Sequence, residues 1–541
     1  MAGAYLVEID AYVPATWIVG GDRVGLLAEP DTALATEARL ETLRFSSGVG
    51  LMTKPDDDPP NTYYEPLVAV PFNFERLIFE DGVTAGAADA GYGEIELVNP
   101  EGDYDFLADC GLDGRRVRLL YGDEDGPLAD FEEIFVGTLS QPEFSWRRLV
   151  LSVRDRGEEL RTDLQTNHYA GDNSGPDGFE GDENLKDKSK PLAFGRCRNV
   201  PAVCVNSSTL TYQVHDGRVA AIPAVRDKGM PLTPAGDYPT AEALAEATFE
   251  AGHYATCLAQ GYFRLWAKPA GAVTADVDGD ATDGVWAASV AAIIRRIALT
   301  RAGLTDADLD LESFDAALEA ACPAIVSQFL EAGDKSDVDD VFDDLCASIG
   351  AWWCFDRAGR LAVGRFEAPE GPPAATFTTV ELLDDGEGLE ILPSRDLADG
   401  VPVYKVSVEY QRNWTKQDDN DLAGAVPDEL RAWLAEESRT VTAEDDAVQV
   451  VHLLSPDLPI TTTLDDAVAA QAEADRLLAL HGVPRMRMRL PVKRQYARGL
   501  DLCSVVEVRL PRFGLSEGRL FRVVGMTEEY ETSKVTLEVW G

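Results

Sequence analysis

Gly499-Leu500-Asp501, then Val505, Val508 and Leu510, then Leu520-Phe521-Arg522-Val523-Val524-Gly525, then Val535-Thr536-Leu537-Glu538-Val539 close the chain. Apolar residues alternate with polar ones in each run, which predicts half-buried strands. A similar series lies far upstream: Gly111-Leu112-Asp113, Val117 and Leu119, Ile134-Phe135-Val136-Gly137, and Leu149-Val150-Leu151-Ser152-Val153. Gly-Leu-Asp and Val-Gly recur at one offset of 388 residues, and only the last hairpin loop differs, by two residues. Glycine inside a strand pattern marks a bulge or a sharp bend, as small barrels need at their corners. Alternation is common among β segments, so chance similarity is the competing explanation. The repetition predicts two related small β-barrels of one type, one near each end of the chain.

At 541 residues the chain is too long for one core and is expected to form several domains. A hydrophobic content of 45% argues against general disorder. The charge is unusual: 95 acids against 48 bases leave −47. Such a surface repels nucleic acid phosphates and anionic membranes, which excludes ordinary DNA binding. It suits a protein past which DNA slides without sticking, or one that works in high salt. The eight cysteines are scattered with no CxxC pair, so neither a zinc site nor a dense disulfide framework is expected, and most should be buried thiols. The N-terminus lacks the pattern of a secretory signal, and no apolar stretch approaches the ~18 residues of a membrane span. A soluble product made in the cytoplasm is expected, with no stable membrane insertion.

The expected fold class is mainly β with an α+β insert. An N-terminal β-barrel with an extension covers 1–165, including a loop at Lys54 to Asn61. A second β-rich domain with a long polar loop (Gly171 to Gly178, then Lys186, Lys188 and Lys190) covers 166–278, with one helix at Ala241 to Gly252. An α+β domain covers 279–395. Its first helix is read from Trp286, Val290, Ile293, Ile294 and Ile297, its second spans Ser313 to Ala321, and its third runs from Asp337 to Gly350. A strand, turn and strand follow through Trp352-Trp353 to Phe366. The C-terminal barrel covers 396–541, opening with Tyr404 to Tyr410 and carrying an inserted loop and helix. That helix is expected to be capped at Thr463, to close at Gly482 and Pro484, and to present Ala467, Ala470, Ala474, Leu477 and Leu478 inward.

No motif fixes a chemistry. Ala272 to Val277 reads as a strand; Asp276-Val277-Asp278-Gly279-Asp280 with Asp283 resembles the start of a calcium loop, but Ala281 and Ala287 stand where such a loop needs Gly and Glu, so an acidic turn before a helix is the better reading. His168, His215, His253, His452 and His481 are far apart. His215-Asp216-Gly217 reads as a turn, and His481 as a cation welcome at a helix C-terminus. Asp56-Asp57-Asp58, Asp339-Asp340 and Asp384-Asp385 read as solvated faces or loops, and no pair of carboxylates is singled out for glycoside hydrolysis. No phosphate-binding loop, dinucleotide fingerprint or HExxH occurs. No residue is therefore assigned as catalytic, cofactor-binding or metal-binding, and no cofactor is expected. Trp352-Trp353 in a strand should place one ring in a domain core and the other at a contact with a neighbouring domain or subunit.

Several stretches together resemble the hub proteins of tailed-bacteriophage tails, including those of gene-transfer-agent tails. They are Asn61-Thr62-Tyr63-Tyr64-Glu65-Pro66, Tyr92-Gly93-Glu94-Ile95, Lys190-Pro191-Leu192-Ala193-Phe194-Gly195-Arg196 with Asn199-Val200-Pro201, Tyr212-Gln213-Val214-His215-Asp216-Gly217, Gly350-Ala351-Trp352-Trp353, Val406-Ser407-Val408-Glu409-Tyr410-Gln411-Arg412-Asn413-Trp414-Thr415, and Gly518-Arg519-Leu520-Phe521-Arg522-Val523-Val524-Gly525. They run in order over nearly the whole chain. The resemblance implies a non-enzymatic virion component, a baseplate hub at the tail tip. Its three copies would form a homotrimer closing the distal tail tube, two tube-type barrels per chain matching a sixfold tube. It implies partners as well: the distal tail or tail tube protein, the tape-measure protein, and tail fibre or tip proteins, with DNA passing unbound through the channel during genome ejection. No appended lytic domain is read. The alternative is a secreted or halophilic acidic hydrolase with β-rich accessory domains. A receptor-binding spike would call for a fibrous or lectin-like C-terminus instead of barrel strands.

Overall fold

The computed structural model describes residues 3–14, 38–80, 82–88, 91–172, 178–383, 388–530, 532 and 534–541. Asp384-Asp385 and part of the Gly171 to Gly178 loop lie outside the described residues.

The chain is mainly β, and its largest element is one thirteen-stranded sheet that takes strands from both ends of the sequence. The N-terminal seven are β1 (Gly3–Val13), β2 (Arg39–Ser46), β3 (Val68–Leu77), β4 (Tyr92–Val98), β5 (Arg116–Asp123), β6 (Glu132–Ser145) and β7 (Arg148–Arg154). The C-terminal six are β8 (Ala375–Phe377), β9 (Glu390–Leu392), β10 (Arg487–Lys493), β11 (Val505–Val508), β12 (Arg519–Glu529) and β13 (Lys534–Trp540). The first group pairs in the order β2-β1-β5-β6-β7-β4-β3, and the second in the order β8-β11-β12-β13-β10-β9. Setting β1, β5, β6, β7, β4 and β3 beside β8, β11, β12, β13, β10 and β9 gives the same neighbours and the same order along the chain. One sense differs: β1 runs antiparallel to β5, whereas β8 runs parallel to β11.

The repetition is one of connectivity and not of residue-by-residue register. Gly137 stands opposite Val117 in the β5–β6 ladder, but Gly525 lies beyond the β11–β12 ladder, opposite Leu77 of β3. The 388-residue offset therefore does not map onto equivalent backbone positions. Nor does either end form a closed barrel among the described residues. β12 is too long for its partner: Arg519 to Arg522 pair with β11, and Gly525 to Glu529 pair with Asn73 to Leu77 of β3. An open edge seeks a partner strand, and here each half supplies the other's. Two cores result. One gathers the inward residues of the seven N-terminal strands, such as Ile9, Phe45, Phe72, Leu119 and Leu151. The other gathers Phe377, Leu490, Val506, Phe521, Leu537 and Trp540.

Two five-stranded sheets follow the N-terminal half, one of them centred on the Val273–Asp280 strand between Val219–Asp227 and Leu192–Pro201. The helix expected to reach Gly252 stops at Glu246, after one capped turn and a half. Helix α1 (Val290–Thr300) is capped by Ser289, so Trp286 precedes it instead of belonging to it. The indole of Trp286 donates to the Gly195 carbonyl at 3.3 Å, with the Arg196 guanidinium over its face. Helix α2 (Val338–Ala347) starts at Asp337 as expected, and Gly350, at φ 61°, ends the segment before the Ala351–Phe355 and Leu361–Arg365 hairpin.

The Lys405–Tyr410 strand does not belong to the large sheet. It lies between Arg439–Glu444 and Asp457–Thr461 in a three-stranded sheet that packs into the same core as α1, α2 and the hairpin. Helix α3 (Ala467–His481) is capped by Asp466, whose carboxylate accepts from the Val468 and Ala469 amides at 2.9 Å. Thr463, the expected cap, donates to Ser348 instead, at 2.9 Å. The inner face of α3 is Ala470, Glu473, Ala474, Leu477, Leu480 and His481, and Ala467 is exposed.

Candidate functional site: the joint between the sheet halves

The β3–β12 ladder is where the two ends of the chain meet, and it buries two charges, Arg76 of β3 and Glu528 of β12. β3 places Phe72, Phe74 and Arg76 on its inward side, and Arg76 is only 5% exposed. Its guanidinium donates to Asp501 Oδ1 at 2.6 Å and to the Phe355 carbonyl at 2.9 Å. One side chain thus ties the N-terminal half, the C-terminal half and the tip of the Ala351–Phe355 strand. Burial alone would push the Asp501 carboxyl up, but the Arg76 and Arg357 charges hold it below the usual carboxylate range. Arg76 itself, against the burial that would lower it, is held in its charged form by Asp501 and its other neighbours. The buried Asp155 carboxyl nearby is raised by burial, although it accepts from the Gly157 and Gly91 amides, each at 2.8 Å.

The 357–360 turn completes the joint. Arg357 pairs with Glu528 of β12 at 2.5 Å, and its carbonyl accepts from the Val136 amide of β6 at 2.9 Å. Arg156 reaches the Gly359 carbonyl at 2.8 Å and Asp308 at 2.7 Å; against the burial that would raise it, the Asp308 carboxyl is held down to about 2 by the Thr305 hydroxyl and amide, which both donate to it, together with Arg156. The two adjacent tryptophans divide as their alternation requires. Trp353 packs edge-on to Phe342 in the core of the helices and donates to Asp343 at 2.8 Å, and Trp352 packs against the C-terminal core.

Two stretches far apart in sequence also meet. The Trp414 amide donates to the Arg198 carbonyl at 3.1 Å, and the Asn199 side chain donates to Asn413 Oδ1 at 3.0 Å and to the Thr415 carbonyl at 2.7 Å. Arg198 makes a two-pronged contact with Asp465, at 2.6 and 2.8 Å. These bonds lock the three-stranded sheet onto the Leu192–Pro201 strand.

The acidic run from Asp276 is a strand and not a turn. Asp276, Asp278 and Asp280 fall on one face at spacing two, and each meets an arginine: Arg226 at 2.7 and 2.8 Å, Arg196 at 2.7 Å, and Arg296. Their carboxylates are engaged by guanidinium groups. Asp337, Asp339 and Asp340 cluster at the N-terminus of α2, where acids are favoured by the helix dipole. The five histidines do not converge. His168 is exposed, and His215, in the expected turn, is buried with Nδ1 accepting from the Ala193 amide at 3.0 Å and Nε2 3.5 Å from Asp280. His481 is not a solvated cation at a helix end: its ring is buried, and burial pushes its pKa down to about 4, so it is neutral. All eight cysteines are free thiols; four are buried and Cys204 is exposed.

Sequence reading passed over Arg76, Glu473 and Arg494. Glu473 lies on the inner face of α3, paired with both Arg365 and Arg476. For the first two the signal was present: each is a charge at an inward position of its element's period.

No protein-family model and no curated protein sequence matches the chain. Among solved structures, the chain is similar to a tail protein from Neisseria meningitidis MC58, at 12% identity and a TM-score of 0.38, over 89% of this chain and 93% of that one. It is similar to a 43 kDa tail protein of prophage MuSo2 from Shewanella oneidensis, at 9% identity and a TM-score of 0.35, over 88% of this chain and 95% of that one. A chain from the virion of a native gene transfer agent particle aligns at 17% identity and a TM-score of 0.41, over 66% of this chain and 84% of that one.

Proposed function

We propose that the chain is a non-enzymatic structural subunit of a phage-type tail tip, a hub whose three copies form a ring across the distal end of the tail tube. The observation that carries this reading is the doubled connectivity of the large sheet: one chain holds two six-strand units wired alike. Three such chains present six similar units and can dock on a sixfold tube, and closed cyclic symmetry is the common arrangement for such rings. The joint at Arg76 fits this role, because two units must keep a fixed spacing if both are to seat on the tube. The sequence resemblance to tail hubs supports the same reading, as does the charge of −47, which would let DNA pass a lumen without adhering.

In this reading the tape-measure and fibre or tip proteins contact the remaining parts of the chain. The N-terminal unit occupies 1–165, with β-rich and α+β parts at 166–278 and 279–395. The C-terminal unit, nominally 396–541, draws β8 and β9 from before that boundary and gives the 405–481 segment to the helical core.

Light scattering on the purified protein tests the assembly. A mass of about 176 kDa is expected, three times 58.7 kDa. Because each copy carries −47, the trimer fraction should rise between about 50 and about 500 mM salt as repulsion is screened. Negative-stain images should show a ring with a central channel. A monomer under all these conditions, with no ring, overturns the proposal and favours the acidic hydrolase.

A further inference from the structure

Beside the β3–β12 ladder the two halves enclose a cavity of about 80 Å³, with Tyr121, Glu132, Arg357, Arg494, Arg498 and Glu528 on its walls. The charge of Arg357 is answered by Glu528 at 2.5 Å. The other two arginines have no carboxylate partner among the described residues. Arg494 is held in place by aromatic rings: its guanidinium sits 3.5 Å from the centre of the Tyr530 ring, with Tyr5 and Tyr121 at 5.6 and 5.7 Å, and it donates to the Tyr5 hydroxyl. A guanidinium carries five N–H donors, so Tyr5 leaves most of them unused. Arg498 is exposed at the same cavity, and Glu132 is the one acid there that no arginine engages.

We propose that this cavity is a carboxylate-binding site, filled by an Asp or Glu side chain on an acidic loop of a neighbouring subunit. Three features select that ligand. The planar fork of an arginine matches a planar carboxylate. The space admits one such group and not a folded element. The field of a protein at −47 disfavours a doubly charged phosphate more than a singly charged carboxylate. The tyrosines fix Arg494 beforehand, so little side-chain freedom is lost on binding.

The test uses the full chain with three probes at matched ionic strength: an acetylated, amidated Gly-Glu-Gly peptide, its Gly-Gln-Gly counterpart, and inorganic phosphate. Titration calorimetry should detect the Glu peptide and not the Gln peptide. Arg498→Gln should weaken binding about tenfold, and Arg498→Glu more. Arg498 makes no hydrogen bond or ion pair among the described residues, so an unchanged melting temperature will certify that both variants fold. The proposal is overturned if the Glu peptide fails to bind the unaltered chain, if Arg498→Glu binds it equally well, if the Gln peptide matches it, or if phosphate alone binds.

Discussion

Asp501→Ala should destabilise the protein by about 3–5 kcal/mol, and Arg76→Met by less, about 2–3 kcal/mol. The asymmetry follows from what each leaves behind. Without Asp501, a guanidinium that is 5% exposed keeps its charge, because arginine does not deprotonate in proteins. It then retains the Phe355 carbonyl and the more distant Asp155 as partners. Without Arg76, the Asp501 side chain is 39% exposed and recovers water, and methionine fills much of the space. The double variant Arg76→Met/Asp501→Ala should therefore be more stable than Asp501→Ala alone. Urea titration of the three variants gives the order directly. If Asp501→Ala proves the milder of the two single changes, Arg76 is not the buried charge on which the joint depends. Because these residues join elements more than 400 positions apart, loss of the joint should also abolish the ring assembly proposed above before it unfolds either half.

Only part of this joint is legible in the sequence. Gly499-Leu500-Asp501 was read as the start of the repeated unit, and Trp352-Trp353 as one core residue and one contact residue. What alternation could not convey was pairing across the chain. In β3 the alternation Phe72-Asn73-Phe74-Glu75 is clean, and what breaks it is Arg76, a charge where an apolar inward residue is due. An arginine at an inward position looks like the end of a strand until its carboxylate, hundreds of residues away, is known. The Lys405–Tyr410 strand is present as expected, but the sheet it joins was not legible, for a related reason. Its alternation fixes that one face is buried, but not which sheet buries it, and Leu458, Ile460 and Ala443 settle that only in three dimensions. The strand expected to stop at Val277 runs on to Asp280 instead of giving way to an acidic turn, although repeated acids and a glycine suit a loop. Three arginines from other elements make the same residues a viable buried strand.

Acid should act on α3, through His481, and on α2, through Asp343, in opposite directions. His481 is 3% exposed and neither ring nitrogen has a partner among the described residues. Burial is the main reason its pKa falls from 6.5 to about 4; Arg476 and Arg485 lower it further, and Asp396 and Glu473 oppose them. The fold therefore requires the neutral ring. Its contribution is intact above pH 6.5 and is lost as the pH falls toward 4, by about 3 kcal/mol in all. Asp343 behaves in reverse. Burial, with Asp339 and Asp340 adding to it, raises its carboxyl to about 6, although the Ala88 amide and the Trp353 indole oppose the shift. Its protonated form is the favoured one, so its contribution is intact below pH 3.8 and is lost as the pH rises through 6. In the unaltered chain the two slopes offset each other across that window. Asp343→Asn keeps an acceptor for both donors and removes the titration, so its stability should drop more steeply on acidification. His481→Leu should do the opposite and gain stability, relative to the unaltered chain, as the pH falls from 6.5 to 4. The 95 acids add a common background as their repulsion is neutralised. The measurement is accordingly the difference in urea-unfolding free energy between each variant and the unaltered chain, taken every half unit from pH 4 to 7.5. A flat difference for His481→Leu would mean that the ring is solvated, and with it the packing of α3 against Trp540 would have to be redrawn.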